Sequence, residues 1–345
     1  MKKASSKRFI ISMVVLILVI LGITIPLPQY IEGPGEAFNL GKVVSIKNHP
    51  DDHKGQFLLT SVGIARARPF TYLYAKLAPH YSIESDDAVT SGQNETEYNK
   101  VQNFYMQSSI GEAIYTAYKH AHKQVTRKYR GIYVLNVSKK SKFKDALKVG
   151  DVVSKVDNHS FKTSNGFVNY VKKQKVGQKL TVQFIRNKRT HKVTRKLIKI
   201  AKNRPGIGIT LTDDVKVKTE IPIKVNPGQV GGPSGGLMFS LQIYSQLTNQ
   251  DLRHGNKVAG TGTINGDGYV GEIGGIDKKI ITAKRAGAKV FLAPYVKPSK
   301  EILKLEPGHK TNYEVAKQTA KKYAPKMKVV PISTFSQAIS YLKNN

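Results

Sequence analysis

Val230-Gly231-Gly232-Pro233-Ser234-Gly235-Gly236-Leu237-Met238 sets one serine in a run of glycines with a single proline. Apolar residues then recur at helical spacing: Leu237, Met238, Leu241, Tyr244 and Leu247. This reads as a tight loop feeding a helix, with Ser234 at the junction. Glycines there let another backbone approach closely. The N–H groups of the loop and first turn have no intrahelical acceptor and can hold a developing oxyanion. The plain alternative is a helix cap, because serine before an apolar run is a common N-cap.

Downstream, Tyr269-Val270-Gly271-Glu272-Ile273-Gly274-Gly275-Ile276-Asp277-Lys278-Lys279 reads as a strand end, a Gly-Gly turn and a helix start. Asp277 is the expected N-cap and Gly287 the expected stop. Lys279 falls in the first turn, where the macrodipole disfavours an ammonium. If it points inward, desolvation lowers its pKa further. A neutral lysine is a competent base for a serine hydroxyl. The alternative is one more solvated lysine among 56 basic residues.

Together these stretches resemble the proteolytic domain of Lon-type serine peptidases, which use a Ser–Lys dyad. Gly232-Pro233-Ser234-Gly235-Gly236 resembles the family's G-P-S-A-G loop, and Gly274-Gly275-Ile276-Asp277-Lys278-Lys279 its G-G-Φ-K-E-K motif. Gly260-Thr261-Gly262-Thr263-Ile264 resembles the T-G-E-I strand. The resemblance implies Ser234 as nucleophile, Lys279 as base and Thr261 as support for the lysine amine. Gly232, Pro233 and Gly235 would form the oxyanion loop. Gly235 stands where the family has Ala, and Asp277-Lys278 where it has Lys-Glu. No metal or cofactor is implied.

The surrounding composition limits the alternatives. The 345 residues suffice for two or three domains. Without cysteine there is neither a disulfide framework nor thiolate chemistry. The net charge of +33 favours anionic surroundings, cell-envelope polymers among them. No nucleic-acid-binding signature accompanies it. Asp213 and Asp214 are adjacent, so on a strand they would face opposite ways, and they are read as a turn rather than a metal pair. His254 is the rival base, but no Gly-x-Ser-x-Gly elbow supports it.

Residues 1–30 combine Lys2, Lys3, Lys7 and Arg8 with an apolar run from Phe9 to Ile25, closed by Pro26-Leu27-Pro28. Its length lies near the lower limit of about 17–25 residues for a spanning helix. No A-x-A-like cleavage site follows, so a retained single-pass anchor is expected. Basic residues before it put the N-terminus in the cytoplasm and the body outside. Residues 31–120 read as an extracytoplasmic lead-in, with Glu84 to Tyr98 as a surface loop and Met106 to Tyr118 as a helix.

Residues 121–200 resemble a bacterial-protease-type PDZ domain through Arg130-Gly131-Ile132-Tyr133-Val134 and Ala146-Leu147-Lys148-Val149-Gly150-Asp151-Val152-Val153. Such a domain binds peptides by strand addition. By position, Gly131 and Ile132 would belong to the carboxylate loop, and Phe167 and Val171 to the side-chain pocket. Residues 201–345 complete the reading as the Lon-type domain. The expected fold class is α+β: a transmembrane helix, a PDZ-like β-rich domain and a Lon-type peptidase domain.

No G-x-x-x-x-G-K-[ST] phosphate loop occurs. The expected activity is therefore ATP-independent endopeptidase cleavage of peptides or unstructured segments outside the cytoplasmic membrane. Processing of a secreted signalling peptide and turnover of envelope proteins both fit, and so does a homo-oligomer. The competing class is a non-catalytic PDZ scaffold or adaptor that binds peptides or envelope components.

Overall fold

A computed structural model describes all residues except Met1, Lys202, Asn203 and Glu306. Helix α1 (Lys2–Thr24) carries apolar residues on every side, and Phe9 to Leu21 are exposed along it. A helix apolar all round has no solvated face of its own. Here no core surrounds it, and it is the one described helix long and apolar enough to cross a membrane. Proline at 26 and 28 prevents its continuation.

The chain then forms β1 (Gln29–Asn39), a 3-10 turn, β2 (Val44–Ile46), β3 (Gln56–Arg66), α2 (Pro69–Leu77), β4 (Ser82–Ser85), α3 (Asp86–Thr90) and α4 (Glu95–His120). The expected surface loop over 84–98 is instead a strand end, a short helix and the first turn of α4. Ser85 caps α3, and Asn94 with Glu97 forms a capping box that starts α4 some ten residues before the apolar spacing begins.

The second domain follows as β5 (Val125–Val137), β6 (Val152–Val156), α5 (Ser164–Lys172), β7 (Lys179–Arg186), β8 (Arg189–Lys196), β9 (Ile198–Ala201), β10 (Arg204–Gly206) and β11 (Ile209–Thr219). Five of these strands make an antiparallel sheet in the order β11-β5-β6-β7-β8. Its own core includes Ile132, Val134, Phe143, Val153, Phe167 and Leu180. Asp213 and Asp214 lie inside β11 rather than in a turn. Asp213 Oδ1 accepts the Ser164 N–H at 2.6 Å, and Asp214 Oδ1 accepts from the Arg130 guanidinium at 2.7 Å.

Last come β12 (Ile223–Val225), α6 (Gly236–Thr248), β13 (Lys257–Gly260), β14 (Thr263–Ile264), β15 (Val270–Gly271), α7 (Ile276–Arg285), β16 (Val290–Pro294), α8 (Lys300–Leu305), α9 (Asn312–Tyr323), β17 (Lys328–Ile332) and α10 (Phe335–Lys343). The main sheet is β17-β16-β13-β3-β1-β4, with β17, β16, β13 and β3 parallel and β1 antiparallel to β3. Alternation along β3 explains its two faces. Phe57 and Leu59 enter the core shared with α4, α6 and α10, whereas Leu58 joins the core under α7 and α9.

The segment expected as a lead-in therefore supplies three strands of this sheet, β1, β3 and β4, and α4 packs along α6. The second domain interrupts the fold between α4 and the Ser234 loop. β11, read as part of the C-terminal domain, completes the second domain's sheet instead. The physical reason is that β3 pairs with β13 about two hundred residues away, a parallel partnership that local pattern cannot reveal.

Candidate active site

The serine and the lysine meet where the Ser234 loop and α7 face each other across β3. Lys279 Nζ donates to Ser234 Oγ at 3.0 Å and to the Thr60 carbonyl at 2.8 Å. Ser234 does not cap α6. The N-cap is Gly235, which has no side chain to use, so the serine hydroxyl is left for the lysine. Gly235 is also closely packed: a Cβ there would lie 2.9 Å from the Phe239 ring and 3.1 Å from Leu59. That accounts for glycine in place of alanine.

The loop is clamped from several sides. Ser234 O accepts the Gly262 N–H at 2.8 Å and the Thr261 hydroxyl at 2.9 Å. Pro233 O accepts the Ser109 hydroxyl from α4 at 2.8 Å, and Gln102 O of the same helix accepts the Gly232 N–H at 3.0 Å. Thr261 thus fixes the serine's own backbone, and Thr60 is the residue that holds the lysine amine. Gly232 and Pro233 shape the loop without offering an oxyanion donor: one N–H is engaged and the other residue has none. The Ser234 N–H has no acceptor among the described residues.

Helix α7 begins after Gly275, which takes the left-handed conformation (φ 66°), so Gly275 is the N-cap and Asp277 sits in the first turn. Gly287 ends the helix with φ 76°, as expected. Lys279 is 3% exposed, and burial lowers its pKa to about 8 against a weaker upward pull from Glu32. Its neighbour Lys278 takes the carboxylates, with Nζ 3.7 Å from Glu32 and 3.5 Å from Asp277. A cleft of about 1230 Å³ opens onto the pair, lined by β1, β3, the 226–235 loop and Glu272 to Gly274.

His254 lies beyond the other end of α6, a helix about 20 Å long, and its Nε2 bonds Leu342 O. It cannot reach Ser234. Among the described residues no group of acidic and histidine side chains could hold a metal ion.

In the second domain Gly131 and Ile132 form no loop. Both sit inside β5, paired with Asp214 and Asp213 of β11 on one side, while Ile132 also pairs with Val153 of β6 on the other. A strand paired on both edges has no hydrogen bonds left for a peptide. The edge strand facing α5 is β11. A groove of about 610 Å³ runs between them, closed at one end by Gly206-Ile207-Gly208-Ile209 and rimmed by Lys140, Lys172, Lys199 and Arg204. Phe167 and Val171 do line it from α5. The signal sequence reasoning passed over is Pro205-Gly206-Ile207-Gly208-Ile209, two glycines flanking an apolar residue just before a strand, with Gly208 at φ 80°.

Comparison with known proteins agrees with the two-part reading. The family model of the PDZ domain matches residues 122–197, and that of the Lon protease (S16) C-terminal proteolytic domain matches residues 188–316. The Lon protease of Syntrophus aciditrophicus is 37% identical over 97 residues, which cover 28% of this chain and 12% of that protein. The Lon protease of Fusobacterium nucleatum is 43% identical over 63 residues, covering 18% and 8%. The chain thus spans about a tenth of the length of the curated relatives it matches. Among solved structures, the PDZ domain of an SdrC-like protein from Listeria monocytogenes is 34% identical, covers 24% of this chain and 90% of that one, and has a TM-score of 0.24. The chain joins a PDZ domain to a serine-peptidase domain of the Lon type.

Proposed function

We propose that this chain is an ATP-independent, membrane-anchored serine endopeptidase that cuts peptides or unstructured segments outside the cytoplasmic membrane. The observation that carries the reading is the 3.0 Å bond between a buried, carboxylate-free lysine and a serine at the mouth of a cleft. Neutral Lys279 takes the proton of Ser234 Oγ as that oxygen attacks the scissile carbonyl. The Ser234 N–H, at the positive end of α6, faces the developing oxyanion. Lys279 returns the proton to the leaving amine, and water then releases the acyl group with the same lysine as base. Thr60 O keeps the amine aimed at Ser234, and Thr261 keeps the serine in place. The β11–α5 groove holds a peptide chain end by strand addition. Its cationic rim suits a carboxylate.

The test is cleavage of an unstructured peptide library by the full chain in lipid, without nucleotide, read by mass spectrometry. Wild type is expected to give cuts that disappear in Ser234→Ala. Cuts that persist in Ser234→Ala, or none from a folded wild type, would overturn the assignment.

A further inference from the structure

We propose that helix α2 lies in the lipid surface, so that the protein meets the bilayer twice, once through α1 and once through the outer face of α2. The proposal rests on the anchored reading above. Phe70, Leu73, Tyr74 and Leu77 recur at i, i+3, i+4 and i+7, which is one face of a helix. They are 46%, 57%, 58% and 79% exposed. The opposite face is already used: Ala75 packs with Ile31 and Ala67, with Tyr72 against them. The Tyr81 ring meets Tyr74 edge-on at 5.2 Å, and most of the rest of the face is open to solvent.

What places this face in lipid is its junction with α1. The Phe70 ring sits over Gly22, where an added Cβ would come within 2.6 Å of it. The Arg68 guanidinium donates to Ile23 O at 2.7 Å, and the Leu27 N–H donates to Ala67 O at 2.8 Å. α2 is thereby fastened to the last turn of the apolar helix, at the level where that helix leaves the bilayer. Leu18, Leu21, Ile25, Pro69 and Phe70 line one continuous apolar surface running from α1 onto α2. Arg68 and Lys76 lie at the start and in the last turn of α2, which suits anionic headgroups, whereas Arg66 is held by Asp86 at 2.8 Å. An amphipathic helix of this kind rests about 5–10 Å into the headgroup boundary.

The arrangement sets where substrates are cut. β3 leads directly from α2 to the dyad, and from Arg66 to Thr60 it covers six residues, about 20 Å of strand. Two lipid contacts hold that strand at a fixed orientation, so the bonds presented to Ser234 lie within about 20 Å of the membrane surface. The substrate class is then the juxtamembrane segment of a chain attached to, or emerging from, the same bilayer.

The chain contains no tryptophan, so a single introduced one reports alone. Full-length Leu18→Trp, Leu73→Trp, Leu77→Trp and Tyr269→Trp would be reconstituted in phosphatidylcholine–phosphatidylglycerol vesicles carrying brominated chains. All four positions are exposed, and Tyr269 lies beside Thr334, beyond the opposite edge of the main sheet. Leu18→Trp is expected to be quenched most by bromines deep in the chains. Leu73→Trp and Leu77→Trp should emit further to the blue than Tyr269→Trp and be quenched most by bromines near the headgroup. If both α2 reporters are quenched no more than Tyr269→Trp while Leu18→Trp is quenched, the α2 proposal fails and the anchor stands. A blue shift without quenching means that a second protein copy covers the face, which also overturns the proposal. An unquenched Leu18→Trp overturns the anchored reading itself.

Discussion

The two most deeply buried cations among the described residues, Arg253 and Lys279, lie at opposite ends of α6 and are treated in opposite ways. Arg253, 1% exposed, makes a two-pronged bond to Asp51, with Nη1 at 2.8 Å and Nη2 at 2.5 Å. Gln242 donates to the same carboxylate, and His53 O takes another guanidinium proton. Burial pushes the Asp51 pKa up, but the bonds from Arg253 and Gln242 win, and it ends below its ordinary value. Lys279, as deeply buried, has a hydroxyl and a carbonyl for company and no carboxylate in contact. A guanidinium cannot lose its proton, so it must be paired; an ammonium can, and burial without a partner makes it give up the proton more readily. The same desolvation therefore builds a clamp at one end of the helix and a base at the other.

Removing Lys279 should break the comparison most sharply, because activity and stability move in opposite directions. Lys279→Met keeps the stem and deletes the base. Peptide cleavage should fall by about 10²- to 10⁴-fold, the worth of a positioned general base. Stability at pH 7 should rise, because wild type there holds a buried lysine whose charged form is disfavoured. The displacement from 10.5 to about 8 corresponds to about 3 kcal/mol at most. Between those two values the unfolded chain binds a proton that the native one lacks, so wild-type stability climbs with pH. The Met variant should lose that slope. Urea unfolding at several pH values checks both; a destabilised Met variant would mean that the lysine serves the fold.

Arg253→Met is the mirror experiment. It leaves Asp51 half-enclosed with only Gln242 for support, and breaking a buried pair in this way costs about 3–5 kcal/mol. The midpoint of urea unfolding should drop accordingly. The fraction that remains folded should cleave peptides at the wild-type rate, since Arg253 lies a helix length from Ser234. Loss of rate without loss of stability would show that the two ends of α6 are coupled.

This contrast also marks what the sequence reveals. Ser234, Lys279, the Gly287 stop after α7 and the helix over Met106 to Tyr118 are legible because each is a local pattern of spacing, cap or turn. Thr60 and Glu32 are not, because they reach the lysine through strands 219 and 247 positions earlier in the chain. Thr261 is visible as a residue but not in its role, since the choice between lysine amine and serine carbonyl depends on where β3 runs. The PDZ groove is hidden from local pattern for a related reason. Gly131 and Gly208 both precede apolar strand residues, and only the sheet order shows which strand keeps a free edge.

The smallest effect tests the remaining charge near the base. Glu32 sits on β1 beside Lys278, and its carboxylate favours the charged form of Lys279. It works against burial, so wild type carries a lysine that is mostly protonated at pH 7 and mostly neutral above about 8. Cleavage rate should therefore rise with pH through about 8 and level off. In Glu32→Gln the opposing charge is gone, burial acts alone, and the inflection of the rate profile should move to lower pH, raising the rate at pH 7 and leaving the plateau unchanged. The Arg253 end supplies the control: Arg253 lies a helix length from the dyad, so Arg253→Met should leave the inflection where it is. An inflection that stays put in Glu32→Gln would mean that Lys278 already neutralises Glu32, and that the base is tuned by burial alone.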